Sequence, residues 1–89
     1  MTYSPLLFES HTNTMYSGGL IMAIQEDVGN RIKEYRNKIG ISQEALAHEA
    51  GLDRTYITSV ERGKRNISIV NLEKITKALN VNLSDFFNF

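Results

Sequence analysis

The strongest constraint on the fold of this chain is a pair of short helical segments that meet at Gly51. Ala47 supplies a small side chain where two helices cross, and Gly51 can adopt the positive φ that a tight turn needs. Ile57 and Val60 follow at the spacing that holds a second short helix against the first. This order of residues predicts a helix-turn-helix unit whose second helix lies across the surface of the domain.

A helical period also governs the sequence from Gln25 to the turn before this unit. The residues of the first helix that are predicted to face the core are Val28, Ile32, Tyr35 and Ile39. Those predicted to point outward are Arg31, Lys33, Glu34, Arg36 and Lys38. Gly29 lies inside this helix, where glycine costs on the order of 1 kcal/mol relative to alanine. Close packing of another helix would explain its presence.

Residues that typically end or cap helices divide the next part of the chain into helices. Gly40 is predicted to end the first helix by adopting the left-handed conformation, and Ser42 is predicted to be the N-cap of a second helix over residues 43–49. Asp53 is predicted to cap the third helix, which ends near Gly63.

Two further helices are predicted beyond this point. Ser68 caps a fourth helix that ends at Asn80, and Ser84 caps a final turn that carries Phe86 and Phe87. The apolar stripe of the fourth helix consists of Ile69, Leu72, Ile75 and Leu79. No alternating strand pattern of useful length occurs, so the predicted fold class is all-α with five helices.

Length and composition exclude several classes of protein. A chain of 89 residues is one small domain, too short for a catalytic domain with its own cleft and cofactor. Cysteine is absent, and His11 and His48 have no acidic partner at ligand spacing, so we expect no metal and no cofactor. No nucleophile and base fall at related positions, which argues against an enzyme. The longest apolar run, residues 20–24, is too short to span a membrane, and we expect a cytoplasmic protein.

The first part of the chain differs in character from the rest. Residues 1–22 are rich in polar residues and glycine and show no sustained period, which predicts a flexible N-terminal tail before a domain over residues 23–89. Docking of Leu6, Leu7 and Phe8 as an extra strand or against a partner is the alternative.

Charge is distributed unevenly, although the formal net charge is zero. Between Arg54 and Lys77 the basic residues are opposed only by Glu61 and Glu73, so this region is locally positive. The predicted outer face of the third helix consists of Arg54, Thr55, Thr58, Ser59 and Arg62, with Tyr56 at its flank. An arginine fork matches the two acceptors of guanine, and threonine offers a methyl group to thymine. This outer face is therefore predicted to enter the major groove of DNA. The alternative is an ordinary solvated helix face, with Arg62 or Arg65 paired to Glu61.

The run over residues 29–79 resembles the Cro/C1-type (XRE) helix-turn-helix family, through GNRIKEYRNKIGISQEALAHEAGL and above all its SQEALA segment. Within that family, LDRTYITSVERGKRNISIVNLEKITKAL is similar to the controller proteins of restriction–modification systems. Phage-type repressors and antitoxins share many of these residues. The resemblance implies a five-helix lambda-repressor-like domain that binds operator DNA as a small dimer.

The resemblance also implies roles for individual residues. Base contacts would come from Arg54, Thr55 and Tyr56, and contacts from the following loop would come from Arg65 and Asn66. Gln43, at the start of the second helix, would meet a phosphate, which agrees with the attraction of a helix N-terminus for anions. Capping of its own helix is the alternative for Gln43. Asn71 departs from the family pattern, which has there a smaller hydroxyl residue that contacts phosphate.

Dimerisation is expected because one recognition helix reads only a few base pairs, whereas a twofold dimer reads two half-sites roughly 34 Å apart. The candidate interface is the apolar C-terminal segment with Leu83, Phe86, Phe87 and Phe89. Completion of the monomer core is the alternative for these aromatic residues.

The sequence therefore favours a transcriptional regulator that binds a palindromic operator as a homodimer and controls its own promoter. For a controller protein, RNA polymerase beside the operator is a further partner. A phage-type repressor or an antitoxin is the second hypothesis, and a protein-interaction adaptor that does not bind DNA is the third.

Overall fold

A computed structural model describes residues 19–89 of the chain, with side chains described from residue 23 onward. This part contains five α-helices and no strand, which confirms the all-α prediction. The helices are α1 (Gly19–Ile39), α2 (Gln43–Ala50), α3 (Arg54–Glu61), α4 (Ile69–Ala78) and α5 (Leu83–Phe86). None of these helices is long and apolar enough to cross a membrane.

The beginning of α1 differs from the prediction. The helix starts at Gly19 instead of Gln25, so residues 19–22 of the predicted tail have helical backbone. A continuous backbone hydrogen-bond ladder overrides the low helix propensity of one glycine at a helix end. The rest of the predicted tail, including Leu6, Leu7 and Phe8, lies outside the described residues.

The core is formed by side chains from all five helices. Ile32, Leu46, Ile57, Ile75 and Phe86 have no exposed surface, and each comes from a different helix. Helix α3 packs on both α1 and α2, while α4 packs on α2 and α5. One side of α3 is therefore fixed by the core, and the other side remains on the surface.

Most helix ends follow the predicted chemistry. The hydroxyl of Ser42 accepts a hydrogen bond from the N–H of Ala45 at 3.0 Å, and that of Ser68 accepts one from Asn71 at 3.1 Å. Each satisfies a backbone donor that has no partner within its helix. Gly51 has φ of 70°, as the turn before α3 requires. Asn80, which follows the C-cap residue Leu79 of α4, has φ of 61°, and this confirms it as the terminator.

Two predicted caps are corrected. Asp53 lies at the N-cap position of α3, but its carboxylate makes no bond to a helix N–H and instead accepts one from the Thr55 hydroxyl at 3.0 Å. The last helix is capped by Asn82 rather than Ser84, because Asn82 Oδ1 accepts from the N–H of Asp85 at 2.8 Å. The final helix therefore begins before Ser84, which lies inside it.

The predicted apolar stripes are confirmed in the middle of the helices and are wrong at the end of α1 and the start of α4. Ile39 is 50% exposed and Ile69 is 66% exposed, although both were predicted to face the core. Ile39 is the last residue of α1 and Ile69 is the first residue of α4. At these terminal positions the stripes extend past the core.

At Gly29 the backbone of α1 lies close to the end of α3. A methyl group at this position would overlap the carbonyl oxygen of Val60 and lie 2.9 Å from that of Glu61. Glycine is therefore required because the backbone at the end of α3 lies against α1. This contact sets how α3 sits on the domain.

Candidate nucleic-acid interface

The predicted DNA-binding residues lie on α3, at the start of α2 and in the loop after α3. Arg54, Thr55, Arg62, Arg65 and Asn66 are exposed. Gln43, Tyr56, Thr58 and Ser59 are half-buried. The exposed residues are free to contact a ligand directly, while the half-buried ones also make contacts within the domain.

A buried ion pair lies beneath this surface. Nε and Nη2 of Arg36 donate to the two carboxylate oxygens of Glu61 at 2.7 and 3.0 Å. The two side chains are only 11% and 3% exposed. Hydrogen bonding to Glu61 raises the pKa of the Arg36 guanidinium above its usual value. A third bond, from Nη1 to the carbonyl oxygen of Ile41 at 2.9 Å, ties the turn before α2 to the same pair.

The network continues from the ion pair to the start of α2. Gln43 Nε2 donates to Glu61 Oε1 at 2.9 Å, and Gln43 Oε1 accepts from the Thr58 hydroxyl at 2.8 Å. Gln43 thus joins α2 to α3, so in this structure its side chain is not used to cap α2. Because both ends of the amide are engaged, its orientation is fixed.

A second group of contacts surrounds Tyr56 at the flank of α3. Asn71 of α4 donates from Nδ2 to the Tyr56 hydroxyl oxygen at 3.1 Å. The guanidinium carbon of Arg65 lies 4.8 Å from the centre of the Tyr56 ring, a cation–π arrangement. Arg65 Nε is also 3.5 Å from the Ser59 hydroxyl, the outer limit of a hydrogen bond. The loop after α3 is thereby connected to the recognition helix.

Within the described part of the chain, the cations of α3 and its loop are not neutralised by neighbouring acids. Glu61, the acid expected to oppose them, is turned inward to Arg36. Among the side chains that the structure describes, Arg54, Arg62, Lys64 and Arg65 form no ion pair. Their charge is therefore available to an external anion, and the alternative in which Glu61 pairs with Arg62 or Arg65 is wrong.

The predicted dimer residues divide into two groups. Phe86 has no exposed surface and stacks near Tyr35, with ring centres 6.2 Å apart. It completes the monomer core, as the alternative held, and has no surface left for a second subunit. Phe87 and Phe89 are 42% and 58% exposed, and Leu83 is half-buried.

Arg31 holds this C-terminal segment against α1. Its guanidinium donates to the carbonyl oxygens of Asp85, Phe86 and Asn88 at 2.8 to 3.1 Å. These bonds satisfy carbonyl groups at the end of α5, and the positive charge is favourable there. Arg31 and Arg36 were both predicted to point outward from α1, and the structure corrects this by showing both in internal contacts.

Helical spacing offered a signal for the buried charges. Arg36 follows Val28 and Ile32 at steps of four residues, and Glu61 follows Ile57 by four. Both therefore lie in register with core positions, where a charged residue is buried only if it is paired. No comparable signal existed for Asn71, since its contact with Tyr56 spans fifteen residues of sequence.

The fold and this uncompensated basic surface on the second helix of the unit define a helix-turn-helix DNA-binding protein. The helix-turn-helix family, of the Cro/C1 (XRE) type, matches residues 32–86, and the chain belongs to it.

Relatives within the family are controllers of restriction–modification systems. The control protein C.MunI from a Mycoplasma species is 51% identical over 61 residues, which cover 67% of this chain and 82% of that protein. The crystal structure of the controller protein C.AhdI from Aeromonas hydrophila superimposes with a TM-score of 0.71 at 45% identity, covering 73% of this chain and 98% of that one. The controller C.Esp1396I, solved as a tetramer in complex with its natural 35 base-pair operator, has a TM-score of 0.68 at 44% identity, covering 71% and 83% of the two chains.

Proposed function

We propose that this protein is the controller of a restriction–modification system, a transcriptional regulator that binds a palindromic operator as a homodimer and regulates its own promoter. The observation that carries the proposal is the surface of α3 and its loop, where exposed cations have no acidic partner within the described residues. The similarity to control proteins supports the choice over phage-type repressors and antitoxins. The protein acts on DNA in the cytoplasm without an enzymatic step or a cofactor.

The residues divide into two roles on the DNA. Contacts to base edges in the major groove are proposed for Arg54, Thr55 and Tyr56, which lie at the start of α3. Contacts to phosphates or to further base edges are assigned to the remaining members of the surface, with Gln43 at a phosphate. These are Gln43, Thr58, Ser59, Arg62, Arg65 and Asn66.

The dimer interface is assigned to the exposed apolar surface at the C-terminus. Leu83, Phe87 and Phe89 remain candidates, whereas Phe86 is withdrawn because it is fully buried. Phe87 also lines an open groove of about 220 Å³ together with Ile24 and Ile69, both of which are exposed. A second subunit that covered this apolar surface would remove the surface from water and so stabilise the dimer.

Selection of bound sequences from a pool of random duplexes tests the proposed function. The expected result is a short site with twofold symmetry, because a symmetric dimer presents two identical recognition helices. Binding of all sequences with equal affinity would overturn the proposal. The absence of any salt-dependent binding to DNA would also overturn it, and would favour a protein-interaction adaptor that does not bind DNA.

An arginine variant then tests the reading surface. Arg54→Ala is expected to weaken binding to the selected site by about 1 to 3 kcal/mol and to relax the preference at one base position. Lys33→Ala is the matched control, since it removes the same charge from an exposed position of α1 outside the assigned set. Equal losses in the two variants would show that Arg54 contributes only general electrostatic attraction.

A further inference from the structure

The contact between Tyr56 and Asn71 joins the recognition helix to a helix that carries none of the assigned DNA contacts. Tyr56 lies in the first turn of α3 and Asn71 in the first turn of α4. The Asn71 side chain is not needed to cap α4, because the cap is made by its backbone N–H to Ser68. The amide is therefore free to act on Tyr56.

The direction of this hydrogen bond determines what the phenol can do. Asn71 Nδ2 is the donor and the Tyr56 hydroxyl oxygen is the acceptor. Among the side chains that the structure describes, none accepts the phenolic proton of Tyr56. A phenol is both donor and acceptor, so its donor function is left for a partner outside the domain.

The ring of Tyr56 is fixed as well as its hydroxyl group. Arg65 lies over the ring face at 4.8 Å, so the guanidinium and the phenol are held as a pair. A side chain that is ordered before binding loses less conformational entropy when it meets its ligand.

We propose that Asn71 is a positioning residue for DNA recognition: its amide orients the Tyr56 hydroxyl so that the phenolic proton is donated to an acceptor on the DNA. This inference rests on the proposed function, since it adds a residue to the same surface. Asn71 itself does not touch DNA in this arrangement and acts only through Tyr56.

A double-mutant cycle on the selected operator tests the inference. Tyr56→Phe removes the phenolic hydroxyl that donates to the DNA. Asn71→Ala removes the amide that orients this hydroxyl and leaves the backbone N-cap of α4 intact. Since a hydrogen bond between neutral groups contributes on the order of 1 kcal/mol, Asn71→Ala is expected to weaken operator binding about fivefold and Tyr56→Phe about fivefold to tenfold. Both changes affect the same interaction, the hydrogen bond from the Tyr56 hydroxyl to the DNA. The double variant is therefore expected to bind the operator no more weakly than Tyr56→Phe alone.

Asn71→Asp is the sharper variant because it reverses the hydrogen bond. An aspartate is nearly the same size but accepts the phenolic proton, so it competes with the DNA for that proton. The added negative charge also repels DNA, and that general effect is measured by Asn71→Asp in the Tyr56→Phe background. The loss caused by Asn71→Asp is expected to be larger when Tyr56 is present than when phenylalanine replaces it.

The outcomes separate the inference from the proposed function. If the wild-type protein selects an operator but Asn71→Ala binds it unchanged, or if Asn71→Ala weakens binding equally with and without the Tyr56 hydroxyl, the inference is overturned and the proposed function stands. A wild-type protein that selects no site overturns the proposed function itself.

The same variants identify the acceptor. A loss confined to the selected site assigns the phenolic proton to a base, and an equal loss on unrelated duplexes assigns it to a phosphate. Urea unfolding of the free variants provides the control for a purely structural role, which would lower stability without the dependence on the Tyr56 hydroxyl.

Discussion

The ion pair between Arg36 and Glu61 gives the most demanding test of the fold. Glu61→Gln keeps the size of the side chain but removes its charge, and it leaves the Arg36 guanidinium without a counter-ion. Breaking a buried ion pair costs about 3 to 5 kcal/mol. Arg36 retains 11% of its side-chain exposure and its bond to the Ile41 carbonyl group, so we expect the lower end, about 3 kcal/mol.

Urea unfolding followed by circular dichroism measures this effect. With a slope of about 1 to 1.5 kcal/mol per molar urea for a small domain, a loss of about 3 kcal/mol lowers the midpoint by about 2 to 3 M. Wild type and variant are compared at the same protein concentration, because unfolding of a dimer depends on concentration.

A double variant supplies the control for charge. Arg36→Met combined with Glu61→Leu removes both charges and fills the same space with apolar atoms. It still leaves the Ile41 carbonyl and the Gln43 amide without their partners, so we expect a loss of about 1 to 2 kcal/mol, smaller than that of Glu61→Gln alone. Two results would refute a desolvated ion pair: a loss of less than about 1 kcal/mol in the free energy of unfolding for Glu61→Gln, or a double variant that is less stable than Arg36→Met and Glu61→Leu each alone.

Three further outcomes follow from packing, capping and the C-terminal surface. Gly29→Ala should destabilise the domain by about 2 to 4 kcal/mol, measured by urea unfolding, because its methyl group collides with the Val60 carbonyl; no change would mean that α1 and α3 are not this close. Ser68→Ala should lower the free energy of unfolding by about 1 kcal/mol through loss of the α4 cap, with the exposed Ser84 as the matched Ser→Ala control. Phe87→Ala should weaken self-association in analytical ultracentrifugation, and an unchanged association constant would exclude Phe87 from the interface.

The sequence was sufficient for the course of the helices because their signals are local. Serine caps, left-handed turn residues and steps of three to four residues depend on neighbours within one or two turns. The same local rules placed Arg54 and Thr55 on the surface, where the structure also has them. The predicted roles of these residues on DNA remain predictions that the variants described above would test.

Features that depend on distant parts of the chain were missed. The partner of Arg36 lies 25 residues away, and the carbonyl groups bound by Arg31 lie more than 50 residues away. Helical periodicity placed Arg36 in register with core positions, but a charged side chain is assigned to the core only when a partner for it can be named, and that partner is distant in the sequence. Phe86 was misassigned for a related reason, since the core that it enters is built from residues of α1 to α4, which come together only in the folded domain.

The fixed amide of Gln43 has a consequence for imperfect binding sites. Because Gln43 bridges Glu61 and Thr58, α2 and α3 are joined into one stiff unit with little freedom to change their mutual angle. A duplex whose groove does not match the fixed shape of this unit would then have to bend or twist in order to be bound. The energy of that distortion depends on base sequence, which lets base pairs that the protein never touches influence which sites it occupies.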